Sequence, residues 1–112
     1  MFHLNLASLN LHKEELEVCL AHLDFEFDII AVTETKIKKS SNPIFDLTLN
    51  GYKYYQTPTE SAKGGVLIYV KENINIKRRT DLENLMYKSR ELESVFIEIL
   101  NEGMKNEIFG CV

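Results

Sequence analysis

The sequence has few cysteines and no pair of them at metal-binding spacing. Cys19 and Cys111 are the two it has. They are far apart and neither sits in a Cys-x-x-Cys unit, which excludes a disulfide framework and a zinc site and fits a reducing compartment. Cys19 falls on an apolar helical stripe and Cys111 inside an apolar strand-like run, so both are expected as small core residues. A surplus of positive charge is also missing: Lys plus Arg number 13 against 17 Asp plus Glu, for a net charge of −4. That balance draws no nucleic acid from a distance, so any such contact needs a local basic patch. An enzyme whose site carries carboxylates for a metal is compatible with it. Long apolar runs are absent too. The longest, Val66-Leu67-Ile68-Tyr69-Val70, falls far short of the ~20 residues that span a bilayer. The opening Met1-Phe2-His3-Leu4-Asn5 has neither the basic leader nor the apolar core of a secretion signal. A soluble intracellular chain, nuclear or cytoplasmic and without a membrane partner, is expected.

What is present is ordinary globular composition, 45% hydrophobic and 27% charged, in a length with room for one domain. Phe2 to Leu6 alternates apolar and polar residues, as a half-buried strand does. Asn10 offers a helix cap, and Leu16, Cys19, Leu20 and Leu23 follow at i, i+3, i+4 and i+7, a single apolar stripe. Ile29-Ile30-Ala31-Val32 is a continuous apolar run, the pattern of a strand covered on both faces. Strand, helix and buried strand in about 30 residues make a βαβ unit with parallel strands.

Residues 36–50 are polar, contain Pro43, and read as a long loop with room for a short helical turn. Tyr52 to Gln56 is a short strand opened by Gly51. Thr57 to Gly65 is turn chemistry throughout, and Val66 to Val70 is the next strand, with a short one at 74–77. Thr80 to Arg90 is ambiguous between loop and helix. Val95 to Leu100 alternates weakly, Asn101-Glu102-Gly103 marks a turn, and Ile108 to Val112 begins another strand. The second half is therefore expected as antiparallel hairpins. The chain stops inside an apolar strand, Phe109-Gly110-Cys111-Val112, whereas domains usually end at a solvated surface. A domain truncated at its C-terminus is expected, with an open sheet edge able to self-associate.

The βαβ unit directs attention to two residues. Adjacent parallel strands run ~4.8 Å apart, and in open α/β sheets ligands bind outside the carboxyl ends of the strands. Asn5 lies near the end of the first strand and Glu34 just past the second, in Thr33-Glu34-Thr35. A carboxylate beside a carboxamide is an oxygen-rich pair suited to a hard cation such as Mg²⁺. From spacing alone, the two also fit ordinary cap or surface positions.

A resemblance adds to this. Leu4-Asn5-Leu6-Ala7-Ser8-Leu9-Asn10, the helix, and Phe27-Asp28-Ile29-Ile30-Ala31-Val32-Thr33-Glu34-Thr35 resemble the endonuclease/exonuclease/phosphatase superfamily. More closely, they resemble the apurinic-endonuclease-like domain of non-LTR (LINE-type) retrotransposons. Gly51-Tyr52, Gly64-Gly65-Val66 leading into Ile68-Tyr69-Val70-Lys71, Leu92 to Glu98, and Ile108 to Val112 match that group's order and spacing. The resemblance implies an α/β fold: residues 1–112 as the N-terminal half of a four-layer α/β sandwich, the βαβ unit followed by hairpins. It also implies Mg²⁺-dependent hydrolysis of a DNA phosphodiester, nicking a strand to prime reverse transcription. Glu34 matches the family glutamate that ligates Mg²⁺, and Asn5 the asparagine that helps bind metal and phosphate. Those two are the catalytic and metal-site residues the resemblance carries over.

The family's later tyrosine, its Asp-x-Asn motif and its terminal Asp–His pair do not occur in these residues. The chain alone is therefore expected to bind Mg²⁺ weakly and to be inactive. Ala7 and Lys36 replace a polar or basic residue and an aromatic, respectively. The loop Thr57 to Lys63 lacks the usual arginine.

Other clusters have plainer readings. His3, His12 and His22 are expected on the surface or in the first strand. The basic runs Lys36, Lys38, Lys39 and Lys77, Arg78, Arg79 fit phosphate contacts but more simply a solvated surface. Tyr52, Tyr54, Tyr55 and Tyr69 fit base stacking but more simply a core or sheet face. A non-catalytic α/β remnant, or a binding module that pairs through its open sheet edge, stays open as the alternative.

Overall fold

The computed structural model describes residues 2–5, 9–23, 26–38, 47–59, 64–90 and 92–112. In chain order it forms β1 (Phe2–Asn5), α1 (Leu9–His22), β2 (Ile29–Thr33), β3 (Tyr52–Thr57), β4 (Val66–Lys71), β5 (Ile76–Arg78), α2 (Thr80–Arg90), β6 (Val95–Ile99) and β7 (Glu107–Cys111). Four strands make one sheet in the order β1-β2-β4-β3, and β5-β6-β7 make a second. β1 and β2 are parallel, as the βαβ unit requires; the remaining pairings are antiparallel.

The continuous apolar runs are the two central strands of the larger sheet, and side-chain alternation sorts them between two cores. Ile30 and Val32 of β2 and Leu67 and Tyr69 of β4 face Leu9 and Leu16 of α1. Ile29, Ala31, Val66, Ile68 and Val70 point the other way, onto Val95, Ile97 and Cys111 of the second sheet. Strands covered on both faces leave little room for polar groups: before their ends β2 and β4 carry only the Tyr69 hydroxyl, which donates to Leu47 O at 2.7 Å. A helix, a sheet and a second sheet are thus stacked, with α2 against β6.

Several expectations change. α1 begins at Leu9, not after a cap at Asn10, because the Leu9 amide donates to Thr35 O at 3.0 Å. A backbone carbonyl from another segment does the capping. The buried stripe is Leu9, Leu16 and Leu20. At about 100° per residue Cys19 lies roughly 80° off that line, so it is exposed, not a core residue. Leu23 falls just beyond the helix and is 41% exposed. The ambiguous stretch at 80–90 is helix α2, with Asp81 and Glu83 in its first turn, where carboxylates favour the positive helix end. Leu85 and Tyr87 on it are exposed, and Leu82 and Met86, one turn apart, are half-buried. The strand expected at 74–77 runs Ile76–Arg78. In the stretch expected as a polar loop, Ile37, Leu47 and Leu49 are buried, and the short helical turn allowed there lies outside the described residues.

Cys111 behaves as expected. It is 4% exposed, and burial pushes its thiol up to about 11. Since the thiolate is the nucleophile, the two cysteines should separate in a labelling experiment. Under native conditions at pH 8, a maleimide or disulfide reagent reacts rapidly with one thiol, Cys19, and with Cys111 only after denaturant is added. Two fast thiols in the native protein would contradict the second-sheet core. Among the described residues no helix is long and apolar enough to cross a membrane.

Candidate functional site

Backbone register brings the two sequence-derived candidates to one place. In the parallel pair β1/β2, Asn5 is opposite Thr33, and Glu34 is the next residue. With neighbouring strands ~4.8 Å apart, the two positions adjoin at the carboxyl end of the sheet. For Asn5 this register gives the backbone position alone. Glu34 is exposed.

The segment after β2 has an unusual backbone. Glu34 has φ 54 and Lys36 φ 57, the left-handed region that L-residues rarely adopt. Thr35 between them is 1% exposed. Cross-strand bonds enforce this shape. Thr35 N donates to Gly65 O at 3.1 Å, Lys36 N to Gly64 O at 2.8 Å, and Thr35 O accepts from Leu9 N. The Ile37 amide turns back to Thr35 Oγ1 at 3.4 Å. The N–H groups of Thr35 to Ile37 are all consumed within the protein, so this turn is not an anion-binding nest. What it presents outward are the side chains of Glu34 and Lys36, on either side of buried Thr35.

Two glycines make the lock possible. Gly64 and Gly65 have φ +106 and +88, open to glycine without steric cost. A Cβ on Gly65 would overlap the Thr35 hydroxyl, and one on Gly64 would lie 2.8 Å from Glu93 Oε1. Glu93 itself, from the segment entering β6, accepts the Gly65 N–H at 3.3 Å. Thr57 Oγ1 donates to Ser94 O at 2.6 Å. Thr35, Thr59 and Ser94, each 1% exposed, complete a buried polar layer at this end. Thr35 and Glu93 were not singled out from sequence as site residues; the available signal was the Gly-Gly pair directly ahead of a buried strand.

The other candidates scatter. His22 is exposed and its Nδ1 pairs with Val18 O at 2.9 Å. It ends α1, roughly 20 Å from Glu34 by helical rise. The side chains of His3, His12 and Lys39 lie outside the described residues. Lys36, Lys38 and Lys77 are exposed, but Arg78 and Arg79 are not a free basic surface. Arg78 grips Glu83 at 2.9 Å and donates to Gln56 O at 2.9 Å, tying the second sheet and α2 to β3. Arg79 pairs with Asp81 and Glu98, each at 2.7 Å. Its guanidinium holds the Asp81 carboxyl down to about 2. Tyr69 is fully buried and meets Tyr52 and Tyr54 edge-on, the core role expected for strand tyrosines.

Among the described residues no three His, Cys, Asp or Glu side chains converge as a metal cluster. A cation here would draw on Glu34, with Asn5 by register, and on water. Compared with known proteins, the sequence matches no family model and no curated protein.

Proposed function

We propose that this chain carries part of the active site of a Mg²⁺-dependent phosphodiesterase that nicks DNA, in the manner of the LINE-type endonuclease domains it resembles. Glu34 and Asn5 are its metal-site residues. The observation that carries the reading is an exposed carboxylate held at φ 54 at the carboxyl end of a parallel strand. A left-handed backbone costs an L-residue roughly 1–2 kcal/mol, glycine adopts it freely, and such strain collects at functional sites. A glutamate kept in that conformation supports a role for its carboxylate, with Lys36 at φ 57 sharing the strained segment.

The layering of α1 on one sheet and that sheet on another supports reading the chain as half of a four-layer α/β sandwich. Glu34 offers an anionic oxygen and Asn5 a carboxamide oxygen, hard donors that suit Mg²⁺ with water in its other positions. When bound, the ion polarises a phosphodiester and stabilises the departing oxygen. The chain's own part is to fix that carboxylate beside the start of α1, whose dipole favours an anion such as the substrate phosphate. No described residue fills the role of a histidine activated by an aspartate, so hydrolysis needs groups beyond the described ones. DNA as substrate sets the work in the nucleus or cytoplasm.

A Mg²⁺ titration followed by amide chemical shifts tests the reading. Binding saturates in the millimolar range, about −4 kcal/mol, with shifts centred on Asn5 and Thr33 to Lys36. Glu34→Gln weakens it tenfold or more. Glu34→Gly weakens it as much while gaining up to about 1 kcal/mol of stability as the left-handed strain is relieved. Shifts centred on other carboxylates, or unchanged affinity in Glu34→Gln, would refute the assignment. Supercoiled plasmid stays closed with the chain and Mg²⁺; nicking that vanishes in Glu34→Ala would show that catalysis is complete without further groups.

A further inference from the structure

The Glu34 backbone is held through a relay that starts just ahead of β6. Glu93 Oε1 accepts the Gly65 amide at 3.3 Å. The carbonyls of Gly64 and Gly65 in turn take the Lys36 and Thr35 amides at 2.8 and 3.1 Å. Thr35, clamped between those bonds and fully buried, fixes the left-handed residues on either side of it. The same Oε1 would lie 2.8 Å from a Cβ on Gly64, so the carboxylate packs against the Gly64-Gly65 turn as well as bonding to it. Glu93 is half-buried and reaches this turn from the segment ahead of β6. It therefore joins the second sheet to the loop that presents Glu34. A residue behind a metal ligand typically sets its orientation.

We propose that Glu93 is a positioning residue for Glu34: by holding the Gly64-Gly65 turn it keeps the Glu34 carboxylate in its metal-binding place. This rests on the reading of Glu34 as a Mg²⁺ ligand. The accepting oxygen, not the negative charge, is what the geometry uses. Glu93→Gln keeps that oxygen and Glu93→Ala removes it.

Amide hydrogen exchange and Mg²⁺ titration on the whole chain decide the matter, with the β6 and β7 amides as internal reference. In Glu93→Ala, exchange at Gly65, Thr35 and Lys36 accelerates on the order of tenfold beyond any change at the reference amides. Mg²⁺ affinity falls by about the same factor, as for other groups behind a metal ligand. Glu93→Gln stays close to wild type in both. Unchanged exchange in Glu93→Ala overturns the proposal. So does equal loss of Mg²⁺ affinity in Glu93→Gln and Glu93→Ala, which would make Glu93 act by its charge. If Glu93→Ala does not fold, Glu93→Gln and Glu93→Asp decide it: Gln must keep the amides protected and Asp, one methylene shorter, must not. Should wild type bind no Mg²⁺ at Glu34, that reading fails alone, and the exchange comparison still tells whether Glu93 holds the loop.

Discussion

Gly65→Ala is expected to destabilise the protein by about 2–5 kcal/mol and to abolish the Mg²⁺ binding proposed for Glu34. Two terms add. A residue with a Cβ at φ +88 bears roughly 1–2 kcal/mol of left-handed strain. The new methyl also overlaps the buried Thr35 hydroxyl, and crowding a packed interior costs about 1–3 kcal/mol. Gly51→Ala separates the terms. Gly51 has φ +86 and nothing within 4 Å of its would-be Cβ, so it carries the backbone cost alone. Denaturant unfolding of both variants gives the difference, which is the overlap. Removing the hydroxyl in the double variant Thr35→Ala/Gly65→Ala should return part of it, a coupling expected only between groups in contact. Equal losses in Gly65→Ala and Gly51→Ala would mean that Thr35 does not press on Gly65. The lock on Glu34 described above would then be wrong.

Tyr69→Ala should cost about 3–5 kcal/mol, a large share of the ~5–15 kcal/mol by which domains are held. Tyr69 is 0% exposed at the centre of the core between α1 and the larger sheet, with Tyr52 and Tyr54 against its ring at 6.4 and 6.1 Å. Its hydroxyl donates to Leu47 O at 2.7 Å and anchors the chain segment that crosses this core. Tyr69→Phe keeps the ring and loses that bond, leaving a buried carbonyl without this donor, at about 1–3 kcal/mol. Unfolding midpoints and slopes measured in urea apportion the two roles. If Tyr69→Phe is as damaging as Tyr69→Ala, the hydroxyl rather than ring packing carries the position.

The two variants bracket the molecule: one strikes the site end of the sheet, the other the core that supports it. Tyr69 lies on β4 and Gly65 directly precedes it, which explains how the candidate site at the ends of β1 and β2 depends on residues far along the chain. β4 pairs with β2, so the glycines that precede it lie directly across from the segment that follows β2. The antiparallel direction makes this unavoidable. Where β2 ends, β4 begins.

Sequence by itself determined what near neighbours decide. Apolar alternation and the continuous runs Ile29 to Val32 and Val66 to Val70 placed the strands, because a two- or 3.6-residue period is a local property of the chain. Composition and that periodicity gave the βαβ start, and the parallel rule then placed Asn5 beside Glu34. Tertiary structure decided the rest. Cys19 turned outward because the helix stripe is set by what α1 packs on, not by which apolar residues fall three and four apart. α2 formed without a buried stripe, its two arginine neighbours committed to Glu83, Asp81 and Glu98. Thr35, Gly64, Gly65 and Glu93 became one unit through hydrogen bonds between segments distant in sequence, and no local pattern encodes such partners. The strain at Glu34 belongs to this second class. Its own residue type disfavours that backbone, and it is kept there by bonds that exist only once the sheets are assembled.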